Sequence, residues 1–245
     1  SSYKKLFFSH FREEDESIFA KIAPIDELKE AAILTDTNLV SIKHMSEYKT
    51  NLSPVSPTNR IITSMFSHDR IMMLIRYGIA YVEKTNDEGI TTIEKHLMRY
   101  PQLFATKAIE SKLNAGIKHG IIWHTQGSGK TALAFFNVRY LKDYYQRKGI
   151  IAKFYFIVDR LDLLTQAADE FRARGLFVEE INSKDDFVTN IESAGETNNT
   201  GTDTITVVNI QKFSKESIAR KSDYNINVQR IYFLDEAHRS YNPTG

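Results

Sequence analysis

The residues best suited to chemistry lie together at His124-Thr125-Gln126-Gly127-Ser128-Gly129-Lys130-Thr131. Glycines at 127 and 129 let successive backbone N–H groups curl around an anion. A helix starting there turns its positive end toward the same point. Lys130 can reach the outer phosphates of a nucleoside triphosphate, and the Thr131 hydroxyl can ligate Mg²⁺. The strict phosphate-loop pattern has glycine where this chain has His124, but the cradle itself is made by Gly127, Ser128, Gly129, Lys130 and Thr131.

A second group stands further on, at Leu234-Asp235-Glu236-Ala237-His238, after an apolar run beginning at Ile231. A carboxylate at the tip of a parallel strand faces the crevice where such sheets bind ligands. Asp235 there can hold Mg²⁺ through water, and Glu236 can polarise the water that attacks a terminal phosphate.

Both groups need elements to position them. Before residue 100 there is no phosphate-binding signature and no clean alternation of strand and helix. Leu6 to Phe11 has the pattern of a strand, Glu13 to Glu16 that of a solvated turn, and Ser53 to Pro57 that of a loop. Asp69 to Tyr81 reads as a helix with Met72, Ile75 and Ile79 on one face, closed by Asn86 to Gly89. After residue 100 short strands alternate with helices. Ile121 to Trp123 is the strand expected to lead into the glycine turn, with a helix from Thr131 to Tyr145 behind it. Phe154 to Val158 is a second strand. Leu161 to Arg174 is an amphipathic helix with Leu161, Leu164, Ala168 and Phe171 inward, ended by Gly175. Ser193 to Asp203 is a polar loop, and Thr204 to Val208 and Ile231 to Leu234 are two further strands. This predicts an α/β fold with a parallel, doubly wound sheet. No repeat is visible.

Composition narrows the class further. With 42% hydrophobic and 26% charged residues the chain is an ordinary globular sequence, and its net charge of +1 confines any nucleic-acid contact to a local patch. The absence of cysteine excludes disulfides and thiolate zinc sites, and agrees with a cytoplasmic location. Ile71 to Val82, the longest apolar stretch, is interrupted by Arg76 and too short to span a bilayer, so no membrane association is expected. Neither a signal-peptide core nor an initiator Met stands at the start, which suggests a piece of a longer polypeptide.

Asp-Glu-Ala-His following Gly-Ser-Gly-Lys-Thr resembles motifs I and II of superfamily 2 helicases. The wording Ile-Ile-Trp-His-Thr-Gln-Gly-Ser-Gly-Lys-Thr and Leu-Asp-Glu-Ala-His-Arg-Ser is similar to that of the restriction (R) subunits of type I restriction enzymes. Arg99-Tyr100-Pro101-Gln102-Leu103-Phe104-Ala105 resembles that family's glutamine motif. Phe156 to Arg160 resembles its motif Ia, and Asn209 to Phe213 a further family segment. The resemblance implies a RecA-like phosphate-loop domain over residues 95–245, preceded by a mixed α+β segment over 1–94 that links it to a nuclease domain. It implies ATP and Mg²⁺ as cofactors. It also implies ATP-driven translocation on double-stranded DNA leading to cleavage, with methylation and specificity subunits as partners.

Carried over by position, the resemblance gives Gln102 the adenine edge, and Arg160, Gln211 and Lys212 the DNA backbone. His238 would couple the nucleotide site to an opposing motor lobe. Catalysis falls to Lys130, Asp235 and Glu236, and the metal to Thr131 and Asp235. Gln102 could instead cap a helix after Pro101, and the DNA residues could be ordinary surface groups. Asp36 with Glu47 and Lys49 spells a nuclease-like pattern, but a nuclease site should lie further upstream. Two other functions remain open: a different superfamily 2 helicase, or a nucleotide-binding assembly module without turnover. Without the second lobe and its arginine, the chain alone should bind ATP weakly and hydrolyse little of it.

Overall fold

The computed structural model describes residues 26–53, 56–124, 127–192, 203–209 and 227–235. These residues fall into two compact units that divide between Arg76 and Tyr77.

The described part of the first unit is helical. It contains α1 (Glu27–Asp36), a 3-10 turn (Val40–His44), α2 (Ser46–Asn51), α3 (Pro57–Phe66) and most of α4 (His68–Tyr77). Local capping sets two of the starts. Asp26 accepts from the Lys29 N–H at 3.1 Å, and Ser56 caps α3 through the Asn59 N–H at 3.3 Å. The buried stripe of α4 is Arg70, Leu74 and Tyr77, at i, i+4 and i+7, whereas Met72 and Ile75 are exposed. The expected inward face was therefore wrong. Its inner edge is built on Arg70, whose guanidinium donates to the Ser64 carbonyl at 2.6 Å.

The helix expected to run to Tyr81 stops at Tyr77. Past Gly78 the burial period changes from helical to two, with Ala80 and Val82 buried and Tyr81 exposed. This is β1 (Ile79–Thr85), which pairs antiparallel with β2 (Thr91–Leu97). The Asn86 side chain closes the turn by accepting from the Glu88 and Ile90 N–H groups.

The rest of the second unit is α5 (Tyr100–Asn114), α6 (Lys130–Gln146), β3 (Ile151–Val158), α7 (Leu161–Ala173), β4 (Phe177–Ile181), α8 (Lys184–Glu192), β5 (Thr204–Asn209) and β6 (Val228–Leu234). The sheet order is β4-β5-β3-β6, and every pairing in it is parallel. This is the expected α/β architecture with a parallel sheet, consistent with a RecA-like domain. Its middle is almost wholly buried, with Tyr155, Ile205 and Val207 at 0% exposure. Of the predicted inner face of α7, Leu164, Ala168 and Phe171 are buried, but Leu161 is 52% exposed at the helix start.

Ile121 to Trp123 is not a strand. No strand pairs with it among the described residues, and Ile121 and Trp123 are 91% and 90% exposed. An apolar run without a hydrogen-bonding neighbour has no ladder to join. The predicted strand at Leu6–Phe11 lies outside the described residues, as does nearly all of the polar loop after Ser193.

Candidate functional site

The phosphate loop is held from the outside by the start of α5. The two helices run parallel, because bonds link them near both ends. Near their starts, the Gln102 amide donates to the Gly129 carbonyl; at their middles, buried Asn137 donates to the Thr106 hydroxyl at 3.2 Å; near their ends, the Tyr144 hydroxyl donates to Asn114 at 2.7 Å. Thr106 in turn donates to the Gln102 carbonyl at 2.9 Å. This chain of bonds fixes the first turn of α5 against the loop that opens α6.

That first turn presents Arg99 and Gln102 to the loop. Gln102 Nε2 donates to the Gly129 carbonyl at 3.2 Å, while its Oε1 accepts from the Arg99 N–H at 2.9 Å. The guanidinium of Arg99 donates to the Ser128 carbonyl and, at 3.5 Å, to that of Gly127. Gly129 has φ +82°, and a Cβ there would come within 2.7 Å of Gln102 Nε2. The backbone conformation therefore favours glycine, and a Cβ would also displace the Gln102 amide from the loop.

The loop fits an anion. α6 starts at Gly129 with no side-chain cap, unlike α1 and α3, so its first-turn N–H groups have no such local acceptor. Ser128 Oγ and His124 Nδ1 are both buried and bonded to nothing among the described residues. The His124 imidazole titrates below its ordinary range. Burial is the main cause, and the Lys130 and Arg99 charges add to it. Orphan donors and two cations around a glycine turn suit a polyphosphate, as the loop's composition suggested.

A turn after Gln146 returns the chain to the start of β3, against which α6 packs. The start of α6 and the C-terminal ends of the strands are thus at one edge of the sheet. Lys130 and Thr131 are half-buried there. Asp235 follows β6 directly and donates its N–H to the Ile157 carbonyl at 3.0 Å. Thr131 and Asp235, the residues that the sequence offers to Mg²⁺, are both described and both lie at this edge. Among the described residues no cluster of three or more His, Cys, Asp or Glu could hold a metal, and Asp36, Glu47 and Lys49 are distributed over α1 and α2.

Arg160 lies at the same edge, at the N-cap position of α7, exposed and in a two-pronged ion pair with Asp162 (3.1 and 2.9 Å). Gln102 is 3% exposed, with its amide bonded to protein on both sides. Glu236, His238, Gln211 and Lys212 lie outside the described residues. The sequence did not single out Arg99 or Asn137. Both act through tertiary bonds to carbonyls or hydroxyls distant in the chain, which residue spacing does not encode.

A family model described as "Type III restriction enzyme, res subunit" matches residues 95–244. A protein of Methanocaldococcus jannaschii named for the endonuclease subunit of a type I restriction enzyme is 38% identical over 109 residues. That match takes in 42% of this chain and 10% of the relative. Type I restriction enzyme endonuclease subunits of Staphylococcus saprophyticus and Staphylococcus aureus are 31% and 30% identical. Each match covers 58% of this chain and 14% of the relative. The matches therefore span only a small part of these relatives' length. No solved structure matches the chain. No helix among the described residues is long and apolar enough to cross a membrane. The resemblance to type I R subunits is borne out, and the chain belongs to the family described as the type III restriction enzyme res subunit.

Proposed function

We propose that this chain is the ATP-binding motor domain of a restriction-enzyme endonuclease subunit, coupling ATP hydrolysis to movement along double-stranded DNA that ends in cleavage. The observation that carries this reading is the uncapped start of α6 behind the Gly127–Gly129 turn, on the same sheet edge as Asp235.

In this reading the N–H groups of Ser128, Gly129 and Lys130 seat the β-phosphate, and Lys130 neutralises charge on the outer phosphates. Thr131 and Asp235 would hold Mg²⁺, which would supply positive charge beside the phosphates. Glu236 orients and deprotonates the attacking water. Gln102 has one lone pair and one N–H not used by its bonds to Arg99 and Gly129, and these would meet the adenine edge. Arg160, Gln211 and Lys212 line the DNA backbone, and His238 couples the site to an opposing lobe. Methylation and specificity subunits are the expected partners, and the cytoplasm the expected location.

The test is steady-state ATPase in the protein as the cell makes it, with and without linear duplex DNA. Strong stimulation by duplex, greater than by RNA, is the expected result. Preference for RNA would favour another helicase activity, and tight ATP binding without turnover a nucleotide-dependent assembly role.

A further inference from the structure

We infer that Arg99 is a positioning residue for the phosphate loop, acting on the back of the peptide units whose fronts bind phosphate. The inference rests on the nucleotide-site reading above. The carbonyl of Gly127 shares a peptide unit with the N–H of Ser128, and that of Ser128 with the N–H of Gly129. Arg99 donates to both carbonyls, and Gln102 continues the row at Gly129, whose peptide unit carries the N–H of Lys130. Three successive peptide planes are thus pinned on one side, which turns their three N–H groups to the other. A charged donor on a carbonyl also polarises the peptide and strengthens the N–H as a donor.

The two loop glycines cannot do this themselves. Gly127 and Gly129 sit at φ +74° and +82° and have no side chains to hold the turn. Left alone, such residues sample many conformations and pay entropy on every binding event. Arg99 can hold them because its own backbone is fixed. Met98 is 1% exposed and Leu103 0%, and the Arg99 N–H is bonded to Gln102. The guanidinium itself is on the surface, so truncating it leaves the core intact.

This role differs in its consequences from direct contact with the nucleotide. Loss of the support should weaken every ligand that fills the β-phosphate seat, and by the same factor. A contact to the γ-phosphate would affect ATP alone, and a contact to the base would spare ligands without one.

The experiment is calorimetric titration of the full-length protein and its Arg99→Ala and Arg99→Lys variants with ATP, ADP and pyrophosphate, all with Mg²⁺. Arg99→Ala should weaken all three about tenfold, the loss of a charge-assisted hydrogen bond. Arg99→Lys should recover part of it, since an ammonium still donates to a carbonyl. Hydrogen exchange at Ser128, Gly129 and Lys130 should quicken in Arg99→Ala, while amides of β3 stay protected. Weakening of ATP alone, sparing of pyrophosphate, or unchanged affinities would overturn the inference. Failure of the wild-type protein to bind any of the three would overturn the nucleotide-site reading and the inference with it.

Discussion

The two halves of the site stand on very different foundations. The phosphate half opens α6, which buries Leu133, Phe135, Phe136, Val138, Leu141 and several more along its length. It is also clamped to α5 by Asn137, Gln102 and Arg99. The carboxylate half ends β6, which stands last in the order of the described strands. There Val228 is buried while Tyr232 and Leu234 are 44% and 47% exposed. One half is held by packing on several sides, and the other by its ladder to β3, the stacking of Tyr232 on Tyr155 and of Phe233 on Phe154, and a bond from Arg230 to the Ile191 carbonyl. The difference matches the tasks proposed for them. A seat for phosphate gains affinity from being formed in advance, whereas groups that act only during turnover can be completed later, when the site closes.

The sharpest way to break this comparison is to remove one charged group from each half. Lys130→Ala should abolish measurable ATP binding with the fold intact, because the proposed role of this half-buried ammonium is to meet phosphate rather than to pack. Glu236→Gln should keep ATP affinity and lower turnover by at least ~10²-fold. Titration calorimetry and single-turnover hydrolysis separate the two. If both variants lost binding equally, the division into a seat and a reacting group would be wrong.

Much of the phosphate half was legible in the sequence. Glycine spacing, a lysine and a hydroxyl are local signals, and α6 begins within a residue of where they place it. The strands β3, β5 and β6 were legible as apolar runs. The sequence reading failed where the deciding interaction was distant. Ile121 to Trp123 has the apolar letters of a strand, but a strand exists only with a neighbour. Asp69 to Tyr81 carried a helical pattern across Gly78, and only the pairing of β1 with β2 reveals where it ends. The short strand β4 and helix α8 were missed. Val178, Glu179 and Glu180 alternate too weakly for the pattern to stand out without its pairing to β5. Gln102 carried a binding signature, yet its placement answers first to the helix it caps and the loop it holds.

A smaller effect should appear in stability. Phe136 is 2% exposed, and Phe136→Ala should cost about 3–5 kcal/mol, the usual range for a large side chain lost from a close-packed core. Leu234 has nearly half its surface in water, so Leu234→Ala should cost less than ~1.5 kcal/mol. Urea midpoints at a common slope measure both. A cost at Leu234 equal to that at Phe136 would mean that the outer side of β6 is covered, and the two halves would be alike.

The smallest expected effect is a pH dependence confined to the phosphate half. In the ligand-free chain burial, then the charges of Lys130 and Arg99, hold His124 below its ordinary value. That ordinary value, about 6.5, applies in the unfolded chain. Between the two, the unfolded state binds more protons than the folded one, so stability must fall as the solution is acidified. The contribution of neutral His124 is complete above about pH 6.5 and is lost as pH drops through that value toward the folded one. A phosphate seated in the loop beside Lys130 reverses part of this, because its negative charge offsets the nearby cations and favours the imidazolium. Nucleotide affinity should therefore rise modestly on acidification, with uptake of less than one proton. Urea midpoints at pH 5.5 and 7.5 read the first effect, and calorimetry in two buffers of different ionisation heat reads the second. In His124→Gln both should shrink toward zero, while ADP still binds at pH 7.5. An acid sensitivity unchanged by that substitution would place the titrating group elsewhere and leave the orphan Nδ1 of His124 a feature of the ligand-free loop alone.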